Sequence, residues 1–122
     1  MIAVETATVS AEPDLETVAG LLEDETARTI LTETSVEPLA ASTLEGRCDA
    51  SGPTIYRRLE SLQACDLVVE QTKPDPEGGH HRKVYAPNVR RVTIELVDGE
   101  FEIRIDRREA MADRFTRLIE GI

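Results

Sequence analysis

Few residues in this 122-residue chain have side chains placed for bond-making chemistry. His80 and His81 are adjacent, and two neighbouring imidazoles cannot close a metal shell by themselves. They read as a partly protonated loop tip. Cys48 and Cys65 flank a helical stretch, which at 1.5 Å per residue holds them roughly 20–25 Å apart. Neither one disulfide nor one metal ion joins them within the chain at that distance, so both read as small packed residues. The 24 carboxylates form no pair in a context for acid–base catalysis. There is no phosphate-cradling glycine loop and no nucleophile elbow. The sequence therefore points away from an enzyme, and it calls for no metal and no cofactor.

What remains is recognition chemistry. Ser51-Gly52-Pro53-Thr54 is followed by Tyr56, Arg57 and Arg58, and further on by His80, His81, Arg82 and Lys83. A helix that enters the major groove of a duplex needs a thin N-terminal end. Ser51, Pro53 and Thr54 supply that end, and its free amides are suited to a phosphate. The Arg57 guanidinium is the base-reading candidate, because it pairs bidentately with guanine. Tyr56 and Arg58 are cast as phosphate contacts. His80, His81, Arg82 and Lys83 form a basic tip able to track the backbone or minor groove. The bland alternative is a solvated helix face whose arginines pair with neighbours such as Glu60.

The surrounding elements must hold these groups in place. Residues 1–13 read as a loose polar arm. Asp14 caps a helix carrying Leu15, Val18, Leu21 and Leu22. Asp24 starts a second helix, with Ala27, Ile30 and Leu31 inward, ending near Thr34-Ser35. Glu37-Pro38 breaks the chain. A short third helix covers about 40–46, with Leu39, Leu44 and Cys48 inward and Gly46 as its stop. Residues 49–52 have turn chemistry, and Ser51 caps a fourth helix over about 53–63. Its inner face is Ile55, Leu59 and Leu62, with Pro53 harmless in the first turn.

A strand over 67–72, a Pro- and Gly-rich tip over 73–79 and a return strand over 82–86 make a hairpin that Pro87 ends. The order is helix, helix, short helix, helix, hairpin. This is the plan of a winged helix-turn-helix, an α+β fold, spanning 14–91 with its wing over 67–86.

Residues 92–122 read as an appended β-hairpin and helix. Val92, Ile94 and Leu96 alternate, as do Phe101, Ile103 and Ile105, and Asp98-Gly99 is the signature of a two-residue type I′ turn. That register sets Leu96 against Phe101, Ile94 against Ile103 and Glu95 against Glu102. Asp106 and Glu109 resemble a capping box for a final helix with the stripe Met111, Phe115, Leu118 and Ile122. The stripe is read as a dimer contact, since two half-sites call for two-fold symmetry. Folding back onto its own domain is the other option.

The run from Ser51 through Leu59, with Leu62 and Asp66-Leu67-Val68, resembles the recognition region of ArsR-like winged helix regulators. It is similar to the small acidic versions found in salt-loving archaea. The run from Leu22 through Leu31 is similar to the first core helix of those proteins, and the likeness covers about 15–87. It implies a homodimeric regulator of transcription binding double-stranded DNA. Ala40 stands where such proteins usually have a Ser or Thr cap. Only Cys48 occurs where the metal-sensing members carry paired cysteines, so the resemblance implies no metal sensor.

Charge sets the competing view. Acidic residues number 24 and basic ones 14, a net charge of −10. Residues 1–50 hold 11 acids and 2 Arg, and residues 92–122 hold 8 acids and 5 Arg. Residues 51–91 hold 5 acids and 7 Lys or Arg, the only block with a positive balance. A net negative chain disfavours nucleic acid. The alternative is therefore a winged-helix protein-interaction module that does not bind DNA. With 12 of the 14 basic residues being Arg, the acid-rich, Lys-poor surface fits life in concentrated salt. The absence of a long apolar run or a signal peptide leads us to expect a cytoplasmic protein without a membrane span.

Overall fold

A computed structural model describes residues 13–74, 78 and 81–108. All of the proposed arm except Pro13 lies outside the described residues, as do His80, Glu109 and the stripe Met111, Phe115, Leu118 and Ile122. Among the described residues four helices come first: α1 (Leu15–Glu23), α2 (Glu25–Val36), α3 (Ala41–Arg47) and α4 (Gly52–Ala64). Two antiparallel hairpins follow, β1 (Val68–Pro74) with β2 (His81–Pro87), and β3 (Val89–Val97) with β4 (Glu100–Arg107). The chain is thus a mixed α+β fold. Among the described residues no helix is long and apolar enough to cross a membrane.

Local side-chain chemistry starts α1, α2 and α4. Asp14 accepts from the Thr17 N–H at 2.8 Å, and Asp24 accepts from the Ala27 N–H at 2.8 Å. Both are side-chain caps on otherwise orphan donors. Ser51 caps α4 by accepting from the Thr54 N–H at 3.4 Å. Ala40 precedes α3 and offers no side-chain cap. Gly46 does not stop that helix: α3 continues to Arg47, and the Cys48 N–H closes the last turn on the Leu44 carbonyl at 2.9 Å. The helical hydrogen bond outweighs the weak breaker, since one Gly costs only about 1 kcal/mol.

Val18, Ile30, Leu44, Ile55, Leu59, Leu62 and Leu67 are completely or almost completely buried in one core. Truncating such a residue to Ala costs about 2–5 kcal/mol, more than any single cap. Thr34 is buried among them, and its hydroxyl donates to the Ile30 carbonyl at 2.7 Å, so that buried hydroxyl is satisfied. Between α2 and α3 the backbone of Leu39 exchanges hydrogen bonds with Tyr85, at 3.1 and 2.8 Å. This isolated antiparallel bridge ties the α2–α3 connection to β2.

The end of α4 is a Schellman turn. Asp66 takes a left-handed backbone (φ 55°), its N–H donates to the Gln63 carbonyl, and the Leu67 N–H donates to the Leu62 carbonyl. Leu62 and Leu67 are both fully buried, the apolar contact that accompanies this motif.

The second hairpin has the register expected from Asp98-Gly99: Leu96 pairs with Phe101, Ile94 with Ile103 and Glu95 with Glu102. Asp98 and Gly99 both have positive φ, 50° and 84°, as a type I′ turn requires. The hairpin is longer than its alternating residues imply, starting at Val89 with an irregularity between Val89 and Arg91. Its base is not separate from the preceding helices. Ile105 is 7% exposed and belongs to their core, and Val89, Val92 and Ile103 pack against it.

Candidate functional site

The face of α4 opposite Ile55, Leu59 and Leu62 carries Tyr56 and Arg57, both exposed. Thr54 comes before them in the first turn. Its hydroxyl lies 3.0 Å from the Ser51 hydroxyl and 3.4 Å from the Arg57 guanidinium. The cap thus extends along the helix into a chain of short polar contacts ending at Arg57.

The Glu45 side chain approaches Gly52 at the start of α4. A Cβ there would lie 3.1 Å from the Glu45 carboxylate. The negative group complements the helix N-terminus, and it competes with any phosphate arriving there. The free-amide reading of this helix end left Glu45 out, because nothing in the local motif places α3 against it.

A groove of about 320 Å³ separates α4 from the first hairpin. Tyr56, Arg57, Glu60, Glu70, Lys83 and Tyr85 line it. Lys83 lies 3.7 Å from Glu70 across the hairpin, and Gln63 donates to the other Glu70 oxygen at 3.4 Å. Tyr85 is buried at the floor, which pushes its phenol pKa up. Two cations and two carboxylates face one another in this groove, so its charge is balanced.

Farther along the hairpin, Lys73 sits opposite Arg82 and Pro74 opposite His81. Like charges directly opposite each other are unfavourable in water, and this pair is concentrated at the end that projects. Side chains alternate along a strand, so Lys83 faces the groove and Arg82 the other side of the hairpin. Lys73 was not among the residues singled out. Pairing the two strands about their Pro- and Gly-rich tip would have found it.

Arg58 is placed elsewhere. Its Nε donates to Asp24 Oδ2 at 2.9 Å, and each side chain keeps about a third of its surface. The hydrogen bond to Arg58, then that to the Ala27 N–H, holds the Asp24 carboxyl below its ordinary value. Arg58 therefore ties α4 to the start of α2 and is not a groove cation. Its sequence neighbour Glu60 is not its partner.

At the other end of α4, Arg107 donates to the Cys65 carbonyl at 2.8 Å and to the Asp66 carbonyl at 3.1 Å. Buried Asn88 adds a donor to the Asp66 carbonyl at 3.2 Å. These partners come from 22 and 41 residues downstream, and no local pattern announces them. Cys48 and Cys65 are both buried free thiols, and burial is the main cause that raises their pKa. Among the described residues no three of His, Cys, Asp and Glu gather as a metal-binding group.

No protein-family model matches this chain, and no curated protein matches it.

Proposed function

We propose that the chain is a winged helix-turn-helix protein binding double-stranded DNA in a sequence-specific way to regulate transcription, and that it works as a homodimer. In this reading α3 and α4 are the helix pair, α4 enters the major groove, and β1–β2 is the wing. The observation that carries it is the shared groove. Arg57 on the exposed face of α4 and Lys83 on the hairpin line one opening, which is how a base-reading helix and a backbone-tracking wing must be disposed.

The connection order supports the reading, including the Leu39–Tyr85 bridge that stiffens the hairpin beside α3. The set of contacts is narrower than the motif implied. Ser51, Pro53, Thr54, Tyr56 and Arg57 remain on α4, with Lys73, His81, Arg82 and Lys83 on the wing, while Arg58 serves the fold.

Glu60 and Glu70 in the same groove favour a second reading, a winged helix that docks a protein partner. Recovery and sequencing of chromosomal DNA crosslinked to the protein in its own cells separates the two. Discrete sites sharing an inverted repeat are the expected result. An abundant protein that enriches no DNA would leave the docking module as the function.

A further inference from the structure

Ile94, Leu96 and Phe101 of the second hairpin are 48%, 67% and 63% exposed. By register they share one face with Val92, Ile103 and Ile105. Exposure rises along that face. Ile105 is buried with the helices, Val92 and Ile103 are partly buried, and Leu96 and Phe101 beside the turn stand in water. A half-solvated antiparallel sheet turns its apolar residues to the core and its polar ones to water. Here the apolar pattern continues past the core, and contiguous exposed apolar groups mark an interaction surface.

Charge follows the same axis. From Val92 to Ile103 the chain holds Glu95, Asp98, Glu100 and Glu102 and no Lys, Arg or His. Cations return only toward the base, where Arg91 lies 3.9 Å from Asp106 and Arg104 sits opposite Thr93. Glu95 and Glu102 are directly paired, a like-charge contact that costs stability. The outer half of the hairpin is therefore an apolar face bordered by four carboxylates.

We infer that this outer half docks another protein, through a helix whose apolar stripe is flanked by Lys and Arg. Two strands about 5 Å apart seat one helix of about 10 Å diameter. The apolar face from Val92 to Leu96 is about 14 Å long, which nine or so helical residues span, a length that brings i, i+3, i+4 and i+7 into contact. Lys and Arg lay their stems along apolar surface and carry their charge past it, toward the bordering carboxylates.

Charge selects the occupant. Nucleic acid and an anionic lipid surface are repelled by the four carboxylates. A second copy brings the same four. Within this chain only residues 51–91 have a positive balance, and α4, the helix described there, already buries its stripe Ile55, Leu59 and Leu62. The basic, apolar helix thus comes from a different protein. The hairpin meets it as a fixed platform. Its turn has the positive φ values of Asp98 and Gly99, Ile105 anchors it in the core, and Arg107 ties its end to the Cys65 and Asp66 carbonyls. A preformed surface loses little freedom on binding. None of its residues lines the groove between α4 and the first hairpin, so the inference goes beyond the DNA reading and does not rest on it.

The test titrates the full chain, without DNA, into a labelled synthetic peptide of roughly 18 residues, with Leu at helical spacing and Lys elsewhere. Binding is expected to be at least about 10-fold tighter than for two comparison peptides. One has Glu in place of every Lys; the other has the same composition scrambled off the helical spacing. A Leu96→Ser, Phe101→Ser variant should bind at least about 10-fold more weakly, with unchanged circular dichroism because both side chains are exposed. Glu100→Lys, Glu102→Lys should weaken binding as much. Glu23→Lys, Glu37→Lys changes the net charge equally, at the exposed ends of α1 and α2 where lysine suits the helix dipole, and should stay within about threefold of the native chain.

Equal losses from the two charge variants would mean general attraction to an acidic chain and would overturn the inference. So would undiminished binding by the Leu96→Ser, Phe101→Ser variant, or indifference to helical spacing. No binding at all would also overturn it, and is the result if the chain itself or a second copy covers the face. Because no DNA is present, failure here leaves the DNA reading untouched, and failure to bind DNA leaves this surface untouched.

Discussion

One carboxylate oxygen, Asp24 Oδ2, receives both the Ala27 N–H at 2.8 Å and the Arg58 guanidinium at 2.9 Å. The group that starts α2 is thereby the group that holds α4, the helix we propose to read DNA. Asp24→Ala removes a cap and an ion pair together and should cost about 1–2 kcal/mol by denaturant titration. Arg58→Ala leaves the cap and should cost about half of that or less.

The pH dependence of this contact has a definite sign. The folded carboxyl of Asp24 lies below its ordinary value of 3.8. Its contribution is therefore complete above 3.8 and disappears as pH falls through the lower folded value. Urea midpoints measured from pH 6 down to pH 2 should show a shallower acid limb for Asp24→Asn than for the native chain. Parallel curves would mean that the carboxylate does not carry the contact.

Arg107 makes the corresponding connection at the other end of α4, through the Cys65 and Asp66 carbonyls. Arg107→Ala leaves two partly covered carbonyls short of a charged donor and should cost about 1.5–3 kcal/mol. Asp66, at φ 55°, pays a backbone penalty that glycine avoids. Asp66→Gly should hold or raise stability, by up to about 1 kcal/mol. Thermal melts of the two variants should move in opposite directions.

For the DNA reading, Arg57→Ala should cost roughly 1–3 kcal/mol on the specific site and relax preference at one base pair. Arg82→Ala and Lys83→Ala should weaken all sequences alike and lower the salt slope by about one each. Arg58→Ala should change binding only as far as it tilts α4. Glu45→Gln should tighten binding without regard to sequence, because it removes the carboxylate beside the α4 N-terminus. Titrations of specific and scrambled duplexes at several salt concentrations separate these outcomes.

A net charge of −10 on 122 residues makes the folded chain repel itself, and salt screens that repulsion over about 3 Å at 1 M. The melting temperature should therefore rise from dilute buffer to molar KCl. An unchanged or lower value would remove the expectation of a salt-adapted surface.

The sequence by itself determined whatever depends on near neighbours. The three side-chain caps Asp14, Asp24 and Ser51 lie within three residues of the amides they satisfy, and the Ile55, Leu59, Leu62 face follows from one helical period. The register of the second hairpin follows from Asp98-Gly99, because a two-residue turn leaves only one pairing. The extent of α3 was less legible, since one glycine is too weak to oppose a closing hydrogen bond.

Tertiary structure alone decided which charged groups are available. Arg57 and Arg58 are adjacent, yet one faces the groove and the other is drawn to Asp24, which lies 34 residues away in sequence. Glu45 is set against Gly52, and Arg107 against Cys65, by the packing of helices whose relative placement depends on the whole core. An ion pair or hydrogen bond acts over a few ångströms, so its partner is known only once the elements are packed. The same packing buried Ile105 with the helices and left Leu96 and Phe101 in water, although all three belong to one alternating pattern.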